Sequence, residues 1–144
     1  MTITRETDYA VRCVLYLAKN VGSIMVVDSI AGDAGIPKSF LAKILQKLAK
    51  AGIVKSTRGV KGGFQLAKEP DELSLMCVIE AIQGHPALNI CVLDSKKCSR
   101  SCFCSIHPVW MDIQGEIEKK LDRYSISGLA KEEISREQQR REQS

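Results

Sequence analysis

Residues 27–66 read Val27-Asp-Ser-Ile-Ala-Gly-Asp-Ala34-Gly35-Ile-Pro37-Lys38-Ser-Phe-Leu-Ala-Lys43-Ile-Leu-Gln-Lys-Leu-Ala-Lys-Ala51-Gly52-Ile53-Val-Lys-Ser-Thr57-Arg58-Gly-Val-Lys61-Gly62-Gly63-Phe64-Gln-Leu66. Val27 to Ala34 is a short apolar-periodic helix stopped by Gly35. Pro37 then suits the start of a longer helix from Lys38 to Ala51, which Gly52 can end in a left-handed turn. Two helices joined by a tight glycine-containing turn read as helix-turn-helix. In the second helix Phe40, Leu41, Ile44, Leu45 and Leu48 are expected on one side, with Lys43, Lys47 and Lys50 largely on another. The runs Ile53–Thr57 and Phe64–Leu66 favour strands, and the glycines between them permit a tight hairpin. That hairpin reads as a wing. A nucleotide-binding P-loop would need a Gly-Lys-Ser/Thr ending and a following helix, which this loop does not have.

Charge supports a polyanion as the partner of this stretch. Residues 34–68 carry Lys38, Lys43, Lys47, Lys50, Lys55, Arg58, Lys61 and Lys68 without one Asp or Glu, against a formal net charge of only +4 for the whole chain. The remainder is therefore net negative, and such asymmetry says more than the total. By charge and position on the hairpin, Arg58 and Lys61 suit phosphates or a narrow minor groove.

Working outward, residues Thr7 to Asn20 set Ala10, Val11, Val14, Leu15, Leu17 and Ala18 at intervals of three and four, as a core-facing helix does. Ser74 can cap a helix from Leu75 to Gln83, broken at Gly84 to Pro86, beside which His85 reads as an ordinary turn residue. From Val109 to Tyr124 a longer helix carries Trp110, Ile113, Ile117, Leu121 and Tyr124 as a stripe. So small a domain has little core left to cover it, so a second copy of the chain is the expected partner. The tail from Lys131 has Ile134 as its only large apolar residue and is expected to fray.

The whole reads as mainly α with a small β wing. Residues 1–84 form a winged helix-turn-helix domain, 85–108 a cysteine-rich loop, 109–130 a dimerisation helix with a return segment, and 131–144 a polar tail. With 144 residues and no apolar run near the roughly 20 needed to span a bilayer, a cytoplasmic chain without membrane contact is expected. Two histidines and no legible Ser/His/Asp or paired-carboxylate set argue against an enzyme.

Six cysteines in a cytosolic chain point to metal or redox chemistry rather than disulfides. Cys13 and Cys77 stand among apolar neighbours and are expected to be buried. The other four fall in Cys91-Val-Leu-Asp-Ser-Lys-Lys-Cys98-Ser-Arg-Ser-Cys102-Phe-Cys104-Ser-Ile-His107. Thiolates select zinc or iron-sulfur. Cys98-x3-Cys102 has zinc-like spacing, whereas Cys91, Cys98 and Cys104 are spaced widely enough to wrap a larger inorganic body. A small redox protein and a cofactor-free regulator that senses through its thiols remain alternatives.

The sequence resembles the IscR and NsrR group of winged-helix repressors, also called the Rrf-two family, over nearly its whole length. The resemblance rests on Thr7-Asp8-Tyr9-Ala10-Val11-Arg12, Gly35-Ile36-Pro37, Phe40-Leu41, Ile44-Leu45, Ala51-Gly52-Ile53-Val54, Arg58-Gly59, Lys61-Gly62-Gly63, Leu66-Ala67 and the triad Cys91, Cys98 and Cys104. It implies a homodimer binding double-stranded operator DNA as an imperfect palindrome and sensing iron-sulfur status, nitric oxide or redox state. Lys38, Ser39 and Lys43 would then serve the recognition helix, and Arg58, Lys61, Gly62 and Gly63 the wing. The same resemblance implies cluster ligation by Cys91, Cys98 and Cys104. The remaining ligand would be His107 for a 2Fe-2S cluster, or Asp8 of the partner subunit for a 4Fe-4S cluster. Cys102 departs from the family pattern and is a third candidate.

Overall fold

A computed structural model describes residues 1–144. Helix α1 spans Arg5–Lys19; Thr4 caps it by accepting from the Thr7 N–H at 3.1 Å. Its first turn carries Glu6 and Asp8 and its last Lys19, as the helix dipole favours. Helix α2 spans Val27–Ala34 and stops at Gly35, whose φ of 66° lies in the left-handed region where a Cβ is disfavoured. Helix α3 spans Lys38–Lys50. Its end is closed by Gly52 at φ 76° and by the Ile53 N–H donating to the Leu48 carbonyl at 2.9 Å, a Schellman-type stop.

Strands β1 (Val54–Thr57) and β2 (Gly63–Leu66) pair antiparallel, with Val54 opposite Leu66 and Thr57 opposite Gly63. The wing is also tied to the segment before α2: Met25 and Phe64 exchange backbone hydrogen bonds of 2.9 and 2.8 Å. Helix α4 spans Leu75–Gln83, with Ser74 accepting from the Cys77 N–H. A single turn, α5 (Ile90–Leu93), leads into the cysteine loop. Helices α6 (His107–Arg123) and α7 (Ile126–Glu142) complete the chain.

The core gathers the inward faces of α1, α2, α3 and α4 with the base of β1, and Ile126 from α7 enters it. Leu17, Ile30, Leu41, Ile44 and Leu48 are among its fully buried members. Helix α6 packs on α4 and α5, and α7 packs along α1. Much of α6 stays uncovered: Val109, Met111, Ile113 and Tyr124 are exposed, while Trp110, Ile117 and Leu121 are half-buried.

Three features differ from the sequence reading. The polar tail is not frayed, because it continues α7, capped by Ser125, to Glu142. Lys19 holds it to α1 through Glu133 at 2.9 Å and Glu137 at 2.8 Å. Burial of Lys19 works against its charge, but these two carboxylates prevail and raise its pKa. Phe40 is 39% exposed rather than core, standing edge-on to Tyr9 with ring centroids 5.3 Å apart. Cys77 is exposed, whereas Cys13 is fully buried and its thiol is pushed up to about 12 by that burial.

His85 is more than a turn residue. Its Nε2 lies 2.6 Å from Glu118 on α6 and its Nδ1 3.6 Å from Glu80 on α4. The hydrogen bond to Glu118 raises the imidazole pKa, outweighing partial desolvation. A raised folded-state pKa contributes stability that is complete below the unfolded value of about 6.5 and lost as pH rises through the folded value. His85→Gln should therefore lower the thermal midpoint at about pH 6 and leave it nearly unchanged at about pH 9, as paired melting curves would show. Equal losses at both pH values would remove the ionic contribution.

Candidate nucleic-acid interface and cysteine loop

Helix α3 buries Leu41, Ile44, Leu45 and Leu48, and this fixes its rotation. Lys38, Ser39, Lys43, Lys47 and Lys50 are left exposed. Two of these cations already have partners: Lys38 lies 2.8 Å from Asp28, and Lys47 pairs with Glu6. Lys43, Lys50, Arg58 and Lys61 have no acidic side chain within 4.0 Å, so they remain available to an anion. Beyond α3 the wing tip places Arg58, Val60 and Lys61 in solvent, with Gly59 at φ 109° making the turn.

Gly62 and Gly63 have a structural reason to be glycine. A Cβ on Gly62 would lie 2.2 Å from the Thr57 carbonyl oxygen, and one on Gly63 would lie 2.4 Å from that of Met25. Both obstacles are backbone. Next to the turn, Arg12 of α1 donates to the Gly35 carbonyl at 3.4 Å and pairs with Asp8 at 3.1 Å, while its guanidinium covers the Tyr9 ring. Asp8 is thus held within its own helix. Sequence reading missed this Tyr9-Phe40-Arg12 cluster because no periodic signal marks it.

In the cysteine loop, Cys91 sits on α5 at 8% exposure, Cys98 and Cys104 are half-buried, and Cys102 is exposed. Cys98, Cys102 and His107 line one open cleft of about 350 Å³ together with Ser95, Lys96, Ser99 and Ser101; Cys91 and Cys104 are not part of that lining. No three of the His, Cys, Asp and Glu side chains come close enough to hold a metal ion. Yet His107 Nδ1 and Ser101 Oγ are buried with no hydrogen-bond partner. Buried polar atoms are rarely left so, and an orphaned imidazole nitrogen on a residue that shares a cleft with two cysteines suits a ligand that takes N and S donors.

A residue that sequence reading passed over anchors this region. Gln114, 3% exposed on α6, donates to the Pro86 carbonyl at 2.6 Å and to Glu118 at 2.9 Å, and accepts from the Leu88 N–H at 3.0 Å. The path leading into Cys91 is therefore clamped to the middle of α6. That tie depresses the Glu118 carboxyl, with Gln114 and then His85 as the causes.

Known proteins match this arrangement. Residues 3–132 match the Rrf2 family, described as an iron-dependent transcriptional regulator. A protein of Aquifex aeolicus named as an HTH-type transcriptional regulator is 37% identical, over 90% of this chain and 91% of its own length. The HTH-type transcriptional regulator IscR of Aliivibrio salmonicida is 33% identical, over 90% of this chain and 77% of its own. Among solved structures, CymR, the global cysteine regulator of B. subtilis, superposes with a TM-score of 0.75 at 26% identity, covering 91% of this chain and 97% of the other. No helix here is long and apolar enough to cross a membrane. The chain belongs to the Rrf2 family of winged-helix transcriptional regulators, DNA-binding proteins rather than enzymes.

Proposed function

We propose that the chain is a homodimeric repressor of a near-palindromic operator whose affinity is set by an iron-sulfur cluster in the loop from Cys91 to His107. Three thiolates, Cys91, Cys98 and Cys104, would hold it, and His107 would supply the remaining donor. The observation that carries this reading is the buried His107 Nδ1 with no partner, in a residue that lines one cleft with Cys98. Asp8, by contrast, already has Arg12. When bound, such a cluster supplies a group responsive to redox state or nitric oxide. The protein's own part is to fix the loop: Gln114 clamps its approach to α6, and α6 in turn packs on α4 of the DNA-reading domain. The exposed apolar residues of α6 fit a second copy of the chain.

Protein purified without oxygen should contain iron and sulfide. Cys91→Ala, Cys98→Ala and Cys104→Ala should each lose the iron, and Cys13→Ala and Cys77→Ala should keep it. His107→Ala should alter the absorption spectrum while Asp8→Ala leaves it unchanged. Equal iron in all five cysteine variants would reject the ligand set. A second reading draws on the cleft that Cys98, Cys102 and His107 line together, where zinc binding would have to draw the three side chains closer. Stoichiometric zinc without iron would favour it.

Regulation makes a separate demand. Cluster-loaded and cluster-free protein should differ in operator affinity by at least about tenfold, about 1.4 kcal/mol of coupling. Matched titrations at one salt concentration giving a single affinity would leave a DNA-binding protein that carries a cluster without using it as a switch.

A further inference from the structure

The six thiols sort by surroundings. Cys13 is sealed in the core, Cys77 is exposed on α4, and Cys91 is buried on α5. Cys98 and Cys102 line a common cleft that Cys104, the nearer neighbour of Cys102 in sequence, does not line. Between them the backbone doubles back, with the Ser101 N–H donating to the Cys98 carbonyl at 3.3 Å. A second turn carries Cys104 onward, its N–H bonded to the Arg100 carbonyl at 2.8 Å. Cys98 itself is extended, at φ −123° and ψ 117°, so the pair is not locked at helical spacing. A disulfide needs Cβ atoms about 3.5–4.5 Å apart, and the segment that must bring them there is a surface turn that no strand or long helix braces.

We infer that Cys98 and Cys102 form a disulfide on exposure to hydrogen peroxide, a second redox state of the loop that removes Cys98 from metal binding. Exposed Cys102 reacts first: its sulfur attacks one peroxide oxygen and the O–O bond breaks, giving a sulfenic acid and one water. Half-buried Cys98 then attacks that sulfur and the S–O bond breaks, with the hydroxyl leaving as a second water. The two thiols lose two electrons together, the peroxide gains them, and both thiol protons end in water. Competition with a cluster for Cys98 rests on the ligand set proposed above, whereas formation of the disulfide in metal-free protein does not. The cysteine that departs from the family's three-cysteine pattern thereby gains a partner and a chemistry.

Trypsin cleaves after Lys97 and Arg100, so Cys98 is released on one peptide and Cys102 with Cys104 on another. Full-length protein would be assayed for iron as purified, stripped with a chelator, treated with stoichiometric hydrogen peroxide, alkylated, digested and weighed. A linked pair of these peptides is expected in the wild type and in Cys104→Ser, and its loss in Cys102→Ser. Retention in Cys102→Ser with loss in Cys104→Ser would overturn the pairing. So would links between two chains, or a wild type that yields only sulfenic or sulfinic acids. Iron absent at the first assay together with a Cys98–Cys102 link would reject the cluster reading and leave this inference standing.

Discussion

Gly63→Val is expected to destabilise the protein by about 3–5 kcal/mol, from two net backbone hydrogen bonds of about 1 kcal/mol each and an overpacking term of about 1–3 kcal/mol. Any Cβ at this position meets the Met25 carbonyl oxygen at 2.4 Å and its carbon at 2.8 Å. Relief requires parting Met25 from Phe64, and with them the two bonds that tie the wing to the start of the helix-turn-helix. Operator affinity should fall as well, because Arg58 and Lys61 lose their fixed support. Gly32→Ala is the contrast: its Cβ meets nothing within 4 Å in the middle of α2, so about 0.5–1 kcal/mol of stabilisation is expected from helix propensity. Urea unfolding of both variants checks the pair, and an unchanged midpoint for Gly63→Val would show that the Met25 contact does not hold the wing.

Two adjacent residues of α3 should behave very differently. Leu41 is fully buried, and Leu41→Ala should remove about 3 kcal/mol, within the range of about 2–5 kcal/mol seen when such a side chain leaves a cavity. Phe40→Ala should cost only about 1 kcal/mol, the worth of an edge-to-face ring pair, because much of its ring is already in water. Chemical denaturation of both variants reads the difference. Similar losses would mean that α3 is rotated about its axis, which would also turn Lys43 away from the face proposed to read DNA.

That contrast shows where the sequence stops being legible. The spacing of Leu41, Ile44, Leu45 and Leu48 fixes the inward direction of α3, but an apolar stripe is broad and Phe40 and Cys77 stand at stripe edges, where either side is compatible with the pattern. The helix-turn-helix and wing were readable because Gly35, Gly52 and the 59–63 loop punctuate them. Helix α7 was not, since its order comes from the Ser125 cap and from Glu133 and Glu137 reaching Lys19 across a sequence gap no periodicity reports. In the loop, residue types announced thiol chemistry, while the grouping of Cys98 with Cys102 and His107 depends on how two turns fold back. Gln114 gave no signal, being one polar residue among the many of α6.

The Gln114 clamp makes the chain unevenly tolerant of length change. From Pro86 to Cys91 every residue is counted, since both the Pro86 carbonyl and the Leu88 N–H must meet the same amide. An insertion or deletion there would either unhook the amide, leaving a buried polar group unmet, or carry Cys91 out of its buried place on α5. The surface turn from Lys96 to Arg100 has no such anchor to α6. Drift in loop length among related chains should therefore accumulate after Lys96 and be purged before Cys91, a pattern that an insertion scan scored for soluble expression would reproduce.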